Sequence, residues 1–322
     1  MKGRSYAQYL GTIVTLGLVA ILLALARGQA LAAPEGSPWG ANYFPNVQLT
    51  TQDGQTVRFY DDLIKNKVVA INFIFTSCSD SCPAETAKLR QVQKLLGERV
   101  GRDVFLYSIS IDPEHDTPAI LKQYAQKFDV GPGWLFLTGK AADIALLRKK
   151  LGLLREADDV QDKGDHNTSL IVGNEASGQW MKRSSFDNSL VLAGVIGDWL
   201  HNWKVPNTAQ AGQRRSYTQA ARLAQLTRGE QLFRTRCVVC HSVGGGDGLG
   251  PDLLGVAERR ERAWLTRWLM VPDQMLAEKD PVAVALYARF KELRMPNLRL
   301  NELDAEVLID YLQAQTSRGG KT

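Results

Sequence analysis

Cysteine is scarce: the chain has four in 322 residues. All four fall in two short stretches, Cys78 and Cys82 in "FTSCSDSCP" and Cys237 and Cys240 in "CVVCH". No cysteine is left over to staple the chain, so a disulfide scaffold is excluded. Histidine is equally scarce, with four in all, and none follows His241. A zinc site built on Cys237 and Cys240 would need further cysteine or histidine ligands nearby, so zinc is poorly supported there. Polybasic runs with interleaved aromatics are absent. The net charge of +5 is a small excess of 39 basic over 34 acidic residues, which gives no reason to expect a nucleic-acid partner. There is no internal repeat at a fixed period. What remains is ordinary globular composition, 44% hydrophobic and 23% charged, over a length that suggests about two domains.

The N-terminus carries Lys2 and Arg4, then the uncharged run "LGTIVTLGLVAILLALA" over residues 10–26, then Ala30-Leu31-Ala32 as a small-residue cleavage site. This is the pattern of an export signal, and the run is long enough to leave an uncleaved anchor open. Residues 1–32 are therefore expected to be a signal peptide or membrane anchor. The rest is expected in the periplasm, soluble or tethered to the inner membrane.

Residues 47–200 alternate strands and helices. "KVVAINFIF" reads as a buried central strand, and "PAETAKLRQVQKLLGERV" as a helix opened by Pro83. "DVFLYSISI" is a second strand, and "TPAILKQYAQKF" a helix started by Thr117 and Pro118. "WLFLTG" is a short strand or turn and "AADIALLRKKLGL" a third helix. "SLIVGN" with the stretch around residues 179–183 makes a closing hairpin, and "NSLVLAGVIGDWLHNW" a last helix. The expected fold class is an α/β sheet layered with helices over residues 39–203, followed by a small all-α domain over residues 218–318. The polar stretch "KVPNTAQAGQRRSY", residues 204–217, is the expected linker.

The spacing Cys237-Val238-Val239-Cys240-His241 is the attachment motif of a c-type haem. Two thiols one helical turn apart add to the two vinyl groups of one porphyrin, and the adjacent histidine supplies an axial nitrogen. Three downstream methionines are candidates for the sixth ligand. Met270 lies in a helical apolar pattern that suits a core residue. Met275 sits in a loop after Pro272 and is an alternative. Met295 is favoured, because Pro296 keeps it out of a helix and Asn301 then caps the last one. From about residue 226 to 316 the chain resembles the class I cytochromes c. "RGEQLFRTRCVVCHSV", "GLGPDLLGV" and "MPNL" carry the resemblance. It implies that Pro251 supports the His241 side. It also implies that Gly229, Phe233 and Tyr311 sit where the first and last helices cross. His/Met ligation implies one-electron transfer rather than oxygen chemistry.

Cys78 and Cys82 follow a buried strand and precede a helix, where the helix dipole favours thiolate. Thioredoxin places a dithiol similarly, but with one residue fewer between its cysteines. An i, i+4 pair suits convergence on a soft ion such as Cu(I) or zinc, and two thiolates need another donor. His115 and His201 read as a turn and a surface histidine. His166, in "GDHNTSLIVGN", leads into a strand that a thioredoxin-like layout places opposite the dithiol. Residues 39–203 resemble the SCO/SenC family of thioredoxin-fold copper proteins through "NFIFTSCSDSCP", "SISIDPEHDTP", "WLFLTG" and "DHNTSLIVG". The resemblance implies copper bound by Cys78, Cys82 and His166, with Asp112, Pro113, Asp116, Thr117 and Pro118 as structural support. Ser79 departs from the family's proline after the first cysteine, and Asn167 from its common serine. The resemblance implies delivery of copper to, or maintenance of the thiols of, the dinuclear copper centre of a cytochrome c oxidase. The expected partners are that oxidase's copper-centre subunit and other periplasmic electron carriers. The alternative is a thiol-disulfide oxidoreductase with Cys78 and Cys82 as its redox dithiol and the haem domain relaying electrons.

Overall fold

The computed structural model describes residues 39–154, 169–202 and 226–319. The expected signal or anchor (1–32), His166 with Asn167, and the expected linker (204–217) lie outside the described residues. Seven strands form one mixed sheet: β1 (Gln48–Thr51), β2 (Thr56–Arg58), β3 (Val68–Ile74), β4 (Val104–Ser110), β5 (Trp134–Gly139), β6 (Ser169–Asn174) and β7 (Gln179–Ser184). Their order is β2-β1-β5-β4-β3-β6-β7. β3, β4 and β5 are parallel, whereas β1 joins β5 and β6 joins β3 in antiparallel pairing.

β3 is buried along its whole length, because helices cover both faces of the sheet there. That is why "VVAINFI" is almost continuously apolar rather than alternating. The two-residue period still sorts its side chains. Val68, Ala70 and Ile74 join one core with Leu89, Val92 and Leu96 of α1 (Ser81–Leu96), Leu121 of α2 (Pro118–Lys127) and Leu192 of α4 (Ser189–Gly194). Val69, Ile71 and Phe73 join the opposite core with Ile144 and Leu147 of α3 (Ala141–Lys150) and with Phe59. The expected "WLFLTG" segment is a true strand, β5. The β1–β2 hairpin, turning at Gly54 with φ +79°, was not anticipated.

After residue 226 the described chain is helical: α5 (Arg228–Leu232), α6 (Val256–Arg259), α7 (Arg262–Met270), α8 (Pro272–Ala277), α9 (Pro281–Arg289) and α10 (Glu302–Ser317). Thr227 caps α5, and its helical path continues through a wider turn to Cys237. Asn301 caps α10 by accepting from the Asp304 N–H at 2.9 Å. α5 and α10 cross at Gly229, where a Cβ would overlap the Val307 carbonyl, and the Phe233 and Tyr311 rings meet 5.4 Å apart beside it. One expectation is corrected. Met275 is not in a loop: it is a buried residue of α8, which Pro272 opens at its first turn, where a proline's missing N–H costs no helical bond.

Candidate metal and haem centres

β3 delivers the chain to a loop over residues 75–80, and α1 begins immediately after it. Asp116 anchors the loop. Its carboxylate accepts from the Thr76 N–H at 3.1 Å, the Thr76 hydroxyl at 2.5 Å and the Ser110 hydroxyl at 2.5 Å. The Ser110 hydroxyl in turn accepts from the Asp112 N–H at 3.0 Å. The "DPEHDTP" segment thus contacts the dithiol loop directly. His115 stays in its turn, 2.9 Å from Asp112, and His201 is exposed.

Cys78 lies in the loop and Cys82 in the first turn of α1. Both are buried, at 5% and 0% exposure. Their side chains hydrogen-bond to each other, and this makes the pair unequal. The Cys82 thiol donates to Cys78, which lowers Cys78 below the ordinary thiol range against the opposing effect of burial. The backbone groups of Cys82 and Asp80 add to the lowering. Burial, then the neighbouring Cys78 sulfur, pushes Cys82 well up. Cys78 is therefore the more readily ionised of the two, with Cys82 as its donor. The Thr86 hydroxyl links the Cys82 carbonyl, at 2.8 Å, to the Tyr124 hydroxyl, at 3.0 Å.

Sequence reasoning passed over Glu85, one turn beyond Cys82 and fully buried. Burial pushes its carboxyl up to about 8, with the Asn72 side chain opposing. Its signal was available, since a lone acid on the apolar face of a helix demands an explanation. Among the described residues no group of three or more histidines, cysteines and acids is arranged to hold a metal. The structure brings Cys78 and Cys82 together, while His166 lies outside the described residues. Two adjacent soft sulfurs, one already favoured as thiolate, fit a copper ion as far as the described donors go.

The helical domain, with Ser79 of the dithiol loop at its edge, forms a cavity of about 710 Å³ whose lining includes Cys237, Cys240, His241 and Met295. The volume lies within the usual range for a cofactor site. His241 Nδ1 donates to the Pro251 carbonyl at 2.9 Å, which leaves Nε2 as the lone-pair nitrogen. Burial pushes the imidazole's pKa down, the Pro251 bond opposing, so the ring stays neutral as a metal ligand must. A Cβ on Gly250 would sit 2.5 Å from the His241 ring, so only glycine lets the loop lie against it. Burial pushes both Cys237 and Cys240 up to about 12. Asp252 braces the same loop by accepting from the Ser242 hydroxyl and the N–H groups of Gly244, Gly246 and Leu254. Met295 lines the cavity among Leu293, Arg294 and Pro296. Met275 is buried in α8 and is not among the lining residues. Two paired thiols, a neutral imidazole and a thioether around an apolar cleft fit a c-type haem.

The two centres adjoin each other. The Asn297 N–H donates to the Ser79 carbonyl at 2.9 Å, and Arg299 pairs with Asp80 at 2.9 Å. Farther along, Asp129 meets both Lys291, at 2.6 Å, and Arg90, at 3.1 Å. Cys240, Val239, Leu249 and Leu293 pack against the core that contains Cys78 and Cys82. Sequence reasoning did not find this contact, because residue pairs some 160 to 220 positions apart leave no local pattern.

Comparison with known proteins agrees with this division. Residues 38–189 match the SCO1/SenC family model, and residues 226–316 match the cytochrome c model. The chain is 35% identical over 128 residues to an SCO1 protein homolog of Bacillus subtilis, covering 39% of this chain and 62% of that one, just under two thirds of its length. It is 31% identical over 151 residues to an SCO2-like protein of Rickettsia felis, covering 45% of this chain and 70% of the relative. Among solved structures, Bradyrhizobium japonicum ScoI with copper bound shares 28% identity over 46% of this chain and 96% of its own, with a TM-score of 0.37. The cytochrome c domain of the pp3183 protein of Pseudomonas putida shares 55% identity over 28% of this chain and 89% of its own, with a TM-score of 0.27. A cytochrome c domain implies haem c.

Proposed function

The chain belongs to the SCO1/SenC family and carries a cytochrome c domain after it, and from that premise we propose that it is an exported copper-handling protein. It serves the dinuclear copper centre of a cytochrome c oxidase during assembly, and its haem domain exchanges single electrons. The observation that carries the reading is the buried, unequal thiol pair. Cys78 offers a thiolate, and Cys82 loses its proton as the metal arrives, the usual coupling of thiolate binding to proton release. His166 supplies the third donor. Cys237 and Cys240 carry the haem covalently, and His241 and Met295 are its axial ligands. Bound haem supplies one-electron chemistry. The chain's own residues do the rest: Pro251 and Gly250 orient the imidazole, and Asp116 holds the dithiol loop. The protein acts outside the cytoplasm, where c-type haem is attached, and its partner is the oxidase's copper-centre subunit.

A second reading rests on the same inequality. A thiolate with a neighbouring thiol is also equipped for thiol–disulfide exchange. Cys78 sulfur attacks a target disulfide and expels one target thiolate. Cys82, deprotonated, then attacks the mixed disulfide and expels the other, so the target gains two electrons and the pair becomes a disulfide. One titration separates the two readings. Full-length reduced protein is titrated with copper, and its dithiol potential is measured against glutathione. Stoichiometric tight copper binding, followed by metallation of an isolated copper-centre subunit, supports delivery. Weak binding with a potential in the reductase range, about −270 mV or below, supports exchange and overturns delivery.

A further inference from the structure

The segment that carries Met295 also carries the contacts to the dithiol loop. Asn297, two residues after Met295, donates its backbone N–H to the carbonyl of Ser79, one residue after Cys78. The same Asn297 is held on its other sides. Its side-chain Nδ2 donates to Asp273 at 2.9 Å, and its Oδ1 accepts the Arg299 N–H at 2.9 Å. Arg299 then reaches back across the boundary to Asp80 at 2.9 Å, so both residues between Cys78 and Ser81 are gripped by one strip of the cytochrome domain. Ser79 itself lines the haem cavity. Met295 and Cys78 are thereby joined through two short stretches of backbone and a single hydrogen bond.

We propose that Asn297 and Arg299 are positioning residues that latch the distal rim of the haem cleft onto the Cys78–Cys82 loop, and that the Asn297–Ser79 hydrogen bond is the route of electron exchange between the two centres. The proposal rests on the reading above, in which the haem domain exchanges electrons with the copper site. With haem and copper bound, this contact would serve the passage of one electron from reduced haem iron to Cu(II), with no bond made or broken. The polypeptide's part is to keep the donor and acceptor loops in contact. The Arg299–Asp80 pair does so by charge, Asn297 by its N–H, and Leu293 and Cys240 by packing against the core that contains Cys78 and Cys82.

The test uses full-length protein with Arg299→Glu, Arg299→Ala and the conservative Arg299→Lys. Two quantities are read: hydrogen exchange at the Asn297 amide in metal-free protein, and the concentration-independent rate of haem reoxidation after selective haem reduction in copper(II)-loaded protein. Arg299→Glu is expected to speed amide exchange roughly fivefold, the scale on which an exposed ion pair acts, and to slow the electronic rate by a similar factor. Arg299→Ala should lie between, and Arg299→Lys should restore both, with the near-infrared sulfur–iron band and copper content unchanged throughout. Wild-type electronic behaviour in Arg299→Glu together with wild-type protection at Asn297 would overturn the latch while leaving the functional reading intact. Absence of any concentration-independent reoxidation in the wild type would instead overturn the functional reading on which the route depends, whatever the amide shows.

Discussion

The chain holds two cysteine pairs, and they sit at opposite ends of helices. Cys82 lies in the first turn of α1, with Cys78 just ahead of it, whereas Cys237 ends the helical path that begins as α5, with Cys240 in the turn beyond. A helix N-terminus stabilises negative charge and a C-terminus opposes it. The first pair is unequal: their mutual bond lowers Cys78 against burial, while burial and the Cys78 sulfur raise Cys82. The second pair is uniform, both thiols pushed up to about 12. A readily ionised sulfur beside a protonated one suits a soft metal or an exchange reaction. Two matched neutral thiols beside a neutral imidazole suit covalent attachment of a porphyrin. The difference lies in the hydrogen bond that the first pair shares, whereas burial governs both thiols of the second.

The sharpest way to break this comparison is to remove each pair in turn. Cys78→Ser with Cys82→Ser should take copper binding from stoichiometric to none while haem content stays whole. Cys237→Ser with Cys240→Ser should do the reverse. Metal analysis and the haem optical spectrum read both, and copper retained by the first variant would place its site elsewhere.

Next in size is the methionine pair. Met295→Ala should abolish the near-infrared sulfur–iron band and lower the haem potential. Met275→Ala should leave the band and cost about 2–5 kcal/mol of stability as a truncated core residue. The opposite result would move the distal ligand to α8.

Glu85 gives a pH-dependent test of the first pair's surroundings. Its carboxyl is raised from the usual 4.5 to about 8, so the folded state holds this proton more tightly than the unfolded chain does. Stability is therefore lost as pH rises through that window. Glu85→Gln should gain on the order of 2–4 kcal/mol over wild type at pH 8 and close to nothing near pH 4.5. Denaturant unfolding at the two pH values measures this, and a pH-independent difference would show that burial does not govern the group. The smallest expected effect is Gly229→Ala. Crowding the Val307 carbonyl should cost about 1–3 kcal/mol of the helical domain's stability, read by thermal unfolding at the haem band, with the copper site unmoved.

Elements whose physics is local were legible. β3 announced itself because burial on both faces forces an apolar run, and α10 because Asn301 is a capping residue followed by a periodic helix. Gly229, Phe233 and Tyr311 were expected at a helix crossing and meet there. β1 and β2 were not legible, since strands of four and three residues carry too little pattern to separate from a turn. α8 was missed because Pro272 read as a break, although proline also opens helices. For the site, the sequence showed which side chains carry chemistry. It did not show that Ser79 and Asp80, two of the three residues between Cys78 and Cys82, would be held by Asn297 and Arg299, because that choice is made by tertiary packing alone.

The grip on Ser79 and Asp80 also sets a timetable. The cytochrome domain covers one flank of the dithiol loop, so a large recipient approaching from that flank meets Asn297 and Arg299 before it meets sulfur. On that flank, Ser79 and Asp80 open to another protein only once Asn297 and Arg299 have moved off them.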